Sequence, residues 1–577
     1  MKKIKIILFS IILFLAFACD ESLDMFPLDS VTNETYWETE DHLKAASFPC
    51  YDIFYKDLLN LGEGCAETAY WGTMQGGLNK VSGGRHTVTT GFPVTSWWNN
   101  SYKNIYNCNV FLDNYNKAEI DQEIKDRYAA EVKTIRAFNY FILTSLFGDV
   151  TLVSSVVGVD DPIAYGPRTN RQKVVDWMLE ELDWAVEKLG SEIPSGDDIG
   201  RINKWGALSL KARVALQNER WGVAAEAAKA VMESGKYELY DNYYKLFQYE
   251  SNVELDHTNK ESIISGMYIT DIRTHNLSGE LCKPTNYIRF NPSKTLVDAY
   301  LCTDGKPAKR GYEYKDNPAV QLSGLYPDEE KEYADYWVNR DPRMAMTVLK
   351  PGELWTGGDD GDEESFAVND TFRLPRFASI QDNNWNGANT VTGFYFTKYC
   401  DPVFVNQTRK DANNIHIIRY AEVLLIYAEA KLKQHGTLSQ QDIDITINKL
   451  RDRVGMHHMI LSELNSWGMD LETEIRRERR IELALEGMRL FDIYRWKEGE
   501  RMGMPVTGPK ESILISQLGV NPYASNGVDG NGDVIYEKAS ASEGDAGRVF
   551  DPAKHYLWPV PNVEIIKNPN LGQNPGW

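Results

Sequence analysis

The chain has few cysteines, no long apolar run beyond its first residues, and a deficit of positive charge. Only 7 of its 577 residues are cysteine and no CxxC pair occurs, so the ligand spacing of a zinc site is absent. After residue 18, no apolar run approaches the roughly 20 residues that a membrane helix needs. The net charge of -21 opposes binding to nucleic acid, which is a polyanion. We therefore expect no zinc site, no membrane-spanning helix after residue 18 and no nucleic-acid partner.

The sequence motifs of common enzymes are missing as well. There is no GxSxG elbow, no Walker loop and no dinucleotide fingerprint. Asp529, Asn531 and Asp533 begin like a calcium loop, but Val534 and Ser540 stand where that loop needs Gly and Glu. Paired carboxylates could serve glycoside hydrolysis, yet the sequence gives no distances between them. We expect no catalytic residue, no metal site and no cofactor, and a structural calcium ion is an option without support.

The first residues have the pattern of an export signal. Three lysines within the first five residues precede the apolar run Ile6–Ala18, which is too short to span a bilayer. The run ends in Ala-Phe-Ala followed by Cys19, which resembles a bacterial lipoprotein signal. This resemblance implies that Met1–Ala18 are removed and that Cys19 is lipidated. The sequence leaves open the disulfide state of the other cysteines, Cys50, Cys65, Cys108, Cys282, Cys302 and Cys400.

Helical periodicity dominates two parts of the chain. It predicts helices over 40–58, 98–116, 121–147, 171–189, 203–233, 418–434, 442–454 and 473–487. The clearest unit runs from Asn203 to Gly235, where two alanine-rich helices flank a short turn. Because small residues permit close antiparallel packing, this unit is typical of a tetratricopeptide-like hairpin. The prediction is a mainly α fold built on helical hairpins.

The remaining segments, 236–417 and 504–551, are rich in Gly, Asn, Asp and Pro, with short β-prone runs. Loops this long inside a folded protein usually carry function on a rigid frame. We therefore expect one domain over 19–577. Its helical scaffold would cover about 30–235 and 415–500, and a loop-rich, ligand-binding part with short strands would cover about 236–414 and 500–555.

A cluster of Arg and Glu stands out in Ile475–Gly487. Arg479 and Glu482 are spaced i,i+3, as are Glu474 and Arg477, which places each pair on one face of a helix. Apolar residues between them supply a packing stripe, and the final glycine suits a helix C-cap. We interpret the cluster as a structural network of charges and not as a catalytic one.

Ten sequence blocks, taken together and in order, resemble the SusD/RagB family of outer-membrane nutrient-binding lipoproteins. The similarity covers essentially the whole chain after the signal. The blocks are Leu23-Asp24 with Pro27, Tyr36-Trp37, Trp98 to Asn109, Ile135 to Val150, Arg201–Ala215, Leu296–Pro307, Asn339–Arg343, Arg419–Ala430, Ile475–Lys497, and Leu557–Pro561 with Asn568–Trp577.

This resemblance implies a function at the cell surface. Members of the family bind glycans and cap SusC-like, TonB-dependent β-barrel transporters, so we expect a non-enzymatic lipoprotein, anchored in the outer membrane and facing outward. It would capture oligosaccharide and pass it to such a transporter. Two alternatives stay open, a surface polysaccharide-active enzyme such as a glycoside hydrolase, and a relative that binds peptides.

A glycan site needs aromatic rings that stack on sugar C–H faces, interleaved with polar groups that bind hydroxyls. Such a mixture occurs early in the chain and again in the middle loops. Trp98 also matches the family framework, where packing would explain it equally well. The candidate ligand-binding residues are Trp71, Arg85, Trp97, Trp98, Asn100, Tyr268, Tyr287, Trp355 and Trp385.

Overall fold

Helices carry the first part of the chain, as the periodicity predicts, although the helix predicted over 40–58 ends at Ser47 and a 3-10 helix, Phe48–Ile53, follows it. The computed structural model describes residues 36–71, 77–281, 290–353, 376–377, 389–390, 392–404, 407, 409–519, 521, 524–537 and 547–577. The first eight described helices are α1 (Glu40–Ser47), α2 (Asp57–Gly64), α3 (Gly77–Ser82), α4 (Ser96–Asn114), α5 (Gln122–Phe147), α6 (Arg171–Lys188), α7 (Lys204–Gln217) and α8 (Trp221–Glu233).

The middle of the chain holds only short helices, and longer ones return after residue 419. The short ones are α9 (Leu277–Leu281), α10 (Lys294–Ala299) and α11 (Pro342–Thr347). The later ones are α12 (Tyr420–His435), α13 (Gln440–Asp444), α14 (Ile447–Val454), α15 (Leu461–Ser466), α16 (Leu471–Glu482), α17 (Arg489–Trp496), α18 (Glu511–Leu518) and α19 (Asn562–Lys567). In the described residues, no helix is long and apolar enough to cross a membrane.

The strands are short and form two-stranded sheets. Antiparallel pairs join β1 (Ala69–Trp71) to β3 (Phe290–Pro292), β2 (Ser262–Gly266) to β6 (Ile415–Arg419), and β7 (Val506–Lys510) to β8 (Asp533–Glu537). A parallel pair joins β4 (Arg376–Phe377) to β5 (Asn389–Thr390). The prediction of a loop-rich middle with short strands is therefore confirmed.

The hairpin of α7 and α8 shows how the frame is built. The Asn203 side chain accepts hydrogen bonds from the backbone N–H groups of Trp205 (3.1 Å) and Gly206 (3.0 Å), which satisfies two free donors at the start of α7. Ala212 and Ala215 are fully buried, so the neighbouring helices can approach closely. Helices α5, α6, α7 and α8 pack in sequence order, and α12 packs on α8. This arrangement confirms the predicted tetratricopeptide-like frame.

Contacts between segments more than 400 residues apart in the sequence join the region around α2 to the region between α16 and α17. The buried carboxylate of Glu67 accepts from Arg489 Nε (3.0 Å), and that of Glu63 accepts from the backbone N–H of Gly487 (3.1 Å). A Cβ on Gly62 would lie 1.8 Å from the carbonyl oxygen of Gly487, so α2 meets this turn backbone to backbone. Gly487 has φ +81°, and α16 already ends at Glu482. The prediction that this glycine caps the helix was wrong; the close approach to α2 explains it instead.

Candidate functional site

Tyr55 lies at the centre of an open polar and aromatic surface. It precedes α2, and its partly exposed ring stacks on Trp97 with ring centroids 5.7 Å apart and an interplanar angle of 21°. Asn100, exposed one turn after Trp97 on α4, donates from Nδ2 to the Tyr55 hydroxyl (3.2 Å). Burial, with a contribution from Asp57, raises the pKa of Tyr55 to about 12. The hydroxyl therefore stays neutral at pH 7 and can both donate and accept.

Charged groups adjoin this tyrosine. Lys56 donates from Nζ to Glu280 (3.0 Å) and Asp57 (3.1 Å), and its backbone N–H donates to the hydroxyl of Tyr268 (2.9 Å). Arg273 lies over the Tyr268 ring, 5.2 Å from its centroid, and donates from Nη2 to a backbone carbonyl beside Tyr55 (3.2 Å). We call this group, Tyr55, Lys56, Asn100, Arg273 and Glu280, the Tyr55 surface. It presents a phenol ring, an amide and two cations, and Lys56 pairs with the buried carboxylate of Glu280.

Three of the predicted residues pack inside this region instead of lining its surface. Trp97 is only 1% exposed beneath Tyr55. Trp98 is buried edge-on to Phe147, with ring centroids 5.0 Å apart, and Tyr268 is buried under Arg273. None of these rings offers an open face in this structure, so their placement favours a supporting role. Asn100 is the predicted residue that the structure leaves open on the Tyr55 surface.

Trp71 and Arg85 belong to another group of contacts, around α3. The partly buried Trp71 ring meets Phe290 edge-on at 5.0 Å, and the Asn79 side chain on α3 donates to the Trp71 carbonyl (2.6 Å). Arg85 follows α3 and forms an ion pair with Glu537 of β8; its side chain remains 32% exposed. Both side chains are therefore partly exposed, in a group of contacts separate from those of the Tyr55 surface. The other predicted residues, Cys19, Tyr287, Trp355 and Trp385, lie outside the described residues and stay predictions.

Sequence reasoning missed Tyr55, Lys56, Arg273 and Glu280. Lys56 and Glu280 are 224 residues apart, and no local pattern relates them. The sequence held one signal for the Tyr55 surface, the polar and aromatic segment at the start of α4. Trp97 and Asn100 in that segment were predicted as ligand-binding residues.

A second group of ionisable residues, which we call the Glu482 cluster, is buried where the end of α16 meets β6 and the start of α11. The Glu482 carboxylate contacts Arg343 (2.9 Å), Arg419 (2.8 Å) and Arg453, and all four side chains are at most 3% exposed. Burial opposes ionisation of Glu482, but the three guanidinium groups hold its pKa well below the usual range. All four side chains are sealed from solvent, which supports the structural interpretation of the cluster.

The pairing inside this cluster differs in part from the predicted spacing. Glu474 and Arg477 do pair, at 3.1 Å. Arg479 instead pairs with Asp492 of α17 (2.9 Å), because α16 ends at Glu482 and that carboxylate faces the arginines of other segments. Helical spacing therefore located the network but not all of its partners.

The residues that resemble the start of a calcium-binding loop form a turn. Asp529 Oδ1 accepts from the backbone N–H groups of Asn531 (2.8 Å) and Asp533 (3.0 Å) between β7 and β8, and Asp533 lies 3.3 Å from Lys294. A search of the described residues finds no group of three or more His, Cys, Asp or Glu placed to hold a metal ion. In that part of the chain, Cys50, Cys65, Cys108, Cys302 and Cys400 are buried free thiols.

Comparison with known proteins places these observations in a family. The model described as "SusD family" matches residues 225–577, and that described as "Starch-binding associating with outer membrane" matches 30–216. A SusD-like protein of Formosa agariphila, P25, is 24% identical over 86% of this chain and 90% of its own. A SusD-like protein of Bacteroides ovatus is 21% identical over 97% of this chain and 95% of its own.

Solved structures give the same family. The crystal structure of a SusD-like carbohydrate-binding protein from Bacteroides fragilis is 26% identical, with a TM-score of 0.76, and the match covers 93% of this chain and all of that one. A laminarin-binding SusD-like protein is 20% identical with a TM-score of 0.59, covering 94% of this chain and all of its own, and shows the same fold.

Proposed function

Because this chain belongs to the SusD/RagB family, we propose that it is a non-enzymatic carbohydrate-binding lipoprotein of the outer membrane. It captures oligosaccharide and passes it to a SusC-like, TonB-dependent transporter. The family descriptions and the carbohydrate-binding and laminarin-binding relatives support the ligand class and the membrane association.

The Tyr55 surface is the site that we assign to the oligosaccharide. The observation that carries this assignment is the partly exposed Tyr55 ring, fixed from below by Trp97 and from the side by Asn100. A rigid ring loses little entropy when a sugar stacks on it, and the amide keeps acceptor and donor capacity for sugar hydroxyls. Trp71 and Arg85 can extend the contact to a longer chain, since both reach the surface.

Electrostatics at this surface favour binding over hydrolysis. A glycosidase needs one carboxyl group that can donate a proton and a second, ionised carboxylate across the scissile bond. Glu280 of this surface and the adjoining Asp57 both form ion pairs with Lys56, at 3.0 and 3.1 Å. Both carboxylates are therefore engaged with one lysine, which is a structural use of these two groups.

Binding measurements on variants test the site. We expect Tyr55→Ala to lose about thirtyfold in affinity for a bound oligosaccharide, and Asn100→Ala about threefold to tenfold. Tyr55→Phe, which keeps the ring, should lose less than Tyr55→Ala. Tyr106→Ala is the matched control, because Tyr106 is 53% exposed on the same helix as Asn100. Calorimetry against a glycan panel measures the affinities, and unchanged affinity in Tyr55→Ala would remove this surface from the site.

Product analysis in the same samples separates the alternative functions. Binding without new reducing ends supports the proposal, whereas release of reducing ends would identify a hydrolase. Binding of peptides but of no glycan would identify a peptide-binding relative.

The membrane anchor is tested separately. Lipidation of Cys19 after removal of Met1–Ala18 would attach the N-terminus stably, since two or more acyl chains hold a protein on a bilayer. Cys19 is followed by two acidic residues, Asp20 and Glu21, which are typical of an outward-facing lipoprotein in bacteria that carry SusD-like proteins. Cys19→Ala should therefore appear in the soluble fraction of cells that lack the transporter; its persistence in the membrane fraction would contradict the anchor.

A further inference from the structure

Two buried cysteines lie on the two chain segments that carry Tyr55 and Asn100. Cys50 is in the 3-10 helix Phe48–Ile53, which immediately precedes the segment of Tyr55, and Cys108 is on α4, two turns after Asn100. The 3-10 helix packs against α4, and both cysteines have no exposed surface. The structure holds both side chains as free thiols. A bond between them would therefore tie together the two segments that build the Tyr55 surface.

The side chain of Asn104, on α4, contacts both cysteines. Its Nδ2 donates to the backbone carbonyl of Cys50 (3.0 Å), and its Oδ1 accepts from the thiol of Cys108 (3.9 Å), one turn further along the helix. The two thiols also contact each other, because a hydrogen bond with Cys108, together with burial, raises the pKa of the Cys50 thiol well above its usual value. Adjacent thiols on two segments that are fixed against each other are the arrangement from which a disulfide forms.

Cys65 provides an internal comparison. It follows α2 and is as completely buried as Cys50 and Cys108, and burial is the cause that raises the pKa of its thiol. The contact between Cys50 and Cys108 is therefore a feature of their placement and does not follow from burial as such.

We propose that Cys50 and Cys108 form a disulfide in the exported protein, a covalent clamp that holds the segment before Tyr55 against α4. The proposal rests on the proposed function only in taking the chain to be exported, since disulfides persist outside the cytoplasm. The oxidant is the disulfide of a thiol oxidoreductase in that compartment. One cysteine thiolate attacks this disulfide and releases one thiol, and the second cysteine then displaces the other. The chain loses two electrons and two protons, and the oxidant gains both.

The bond has to close while the chain folds. In the folded protein both thiols are sealed from water, and the Cys50 thiol resists conversion to the thiolate that attacks a disulfide. In the unfolded chain both thiols are accessible to the oxidant. Burial then protects the finished bond from reductants, and the bond restricts the unfolded chain between positions 50 and 108.

Peptide mapping of the full chain tests the pair. The protein is isolated from the cell envelope of bacteria that export it, free thiols are blocked with N-ethylmaleimide in denaturant, and trypsin is added without reductant. Cleavage after Lys and Arg places the three cysteines on separate peptides, 45–56, 57–80 and 104–117. We expect 45–56 to be joined to 104–117, and 57–80 to carry the blocking group.

Two results would overturn the pair. One is the blocking group on Cys50 and Cys108 in most copies of the exported chain, and the other is a bond from Cys50 to Cys65. Refolding of the reduced full chain with oxidised glutathione supplies the oxidant directly and does not depend on export. The same linked peptide is expected there, and its absence would overturn the pair without bearing on oligosaccharide capture at Tyr55.

Stability measurements test the clamp. Cys108→Ala breaks the bond, and its melting temperature should fall about 2 to 4 °C further than that of Cys65→Ala. Cys65→Ala is the matched control, because it removes the same sulfur atom from an equally buried side chain. Backbone amides of the peptide 45–56 should also exchange hydrogen faster in Cys108→Ala than in Cys65→Ala. Equal melting temperatures or equal exchange in the two variants would overturn the clamp.

Discussion

The Glu482 cluster and the Tyr55 surface use polar side chains for opposite purposes. In the cluster, each charge is sealed from water and meets two or more partners, so that Glu482 alone contacts three arginines. On the Tyr55 surface, Asn100 has one side-chain bond and stays exposed, and the Tyr55 ring has an open part. The difference shows that burial, and not composition, separates a charge that holds the frame from a polar group that can meet a ligand.

The largest effect should follow from breaking the buried cluster. Glu482→Gln leaves Arg343, Arg419 and Arg453 without their shared anion, and we expect a loss of about 3 to 5 kcal/mol in the free energy of unfolding, measured with denaturant. Glu472→Gln removes a charge that pairs with Lys433 and Arg476 while 34% exposed, and should cost less than about 1 kcal/mol. Equal losses in the two variants would contradict the distinction between buried and exposed charge.

Trp97 allows packing and ligand binding to be told apart at one residue, because it lies between the core and the Tyr55 surface. Trp97→Ala should lower the free energy of unfolding by about 3 to 5 kcal/mol, as expected for a truncated core ring. Thermal melts and oligosaccharide titrations are read on the same protein. Destabilisation with unchanged affinity assigns Trp97 to packing alone. Loss of affinity with an unchanged melting temperature would instead restore it as a sugar-stacking residue.

His86 lies outside the Glu482 cluster and tests whether a buried, ionisable side chain makes the free energy of unfolding depend on pH. Burial, and secondarily His555, lowers the pKa of His86 to about 3, and neither ring nitrogen has a hydrogen-bond partner. The neutral ring is favoured by folding, so its stabilising contribution is present above pH 6.5 and is lost as the pH falls toward 3. His86→Phe should flatten the decline in unfolding free energy by about 1.4 kcal/mol per pH unit in that window. The unmodified chain, measured over the same pH window, is the reference, and an equal slope in His86→Phe and the unmodified chain would count against the effect.

A purely apolar contact should give the smallest of these effects. Ala212→Leu adds three carbons where α7 meets its neighbours with no exposed surface, and we expect a loss of about 1 to 3 kcal/mol from overpacking. Ala230→Leu, on the partly exposed face of α8, is the control. A melting temperature of Ala212→Leu no lower than that of the parent would show that the hairpin has room to repack.

The sequence predicts the frame far better than the site, and particular residues show why. The α7–α8 hairpin is encoded locally, by Asn203 at the start of one helix and by alanines at helical spacing. The same local view predicts a helix over 98–116 and so leaves Trp97 just outside it, whereas α4 begins at Ser96. It also cannot tell that Tyr55 covers Trp97, since the two meet only in the fold. Glu280 joins Lys56 across 224 residues, and such pairing leaves no periodic trace in the sequence.

The pairing of Glu67 with Arg489 has a consequence for the way the protein is made. These residues are 422 positions apart, and Glu63 depends in the same way on Gly487. A nascent chain that has not yet reached residue 480 holds the carboxylate of Glu67 without either of its cations, Arg480 and Arg489, so the first helices cannot settle into their final packing as they emerge. Folding must wait for most of the polypeptide, during which unpaired, partly apolar segments remain accessible to chaperones and proteases. A fragment that ends before Arg480 should for that reason be degraded rather than accumulate as a smaller folded protein.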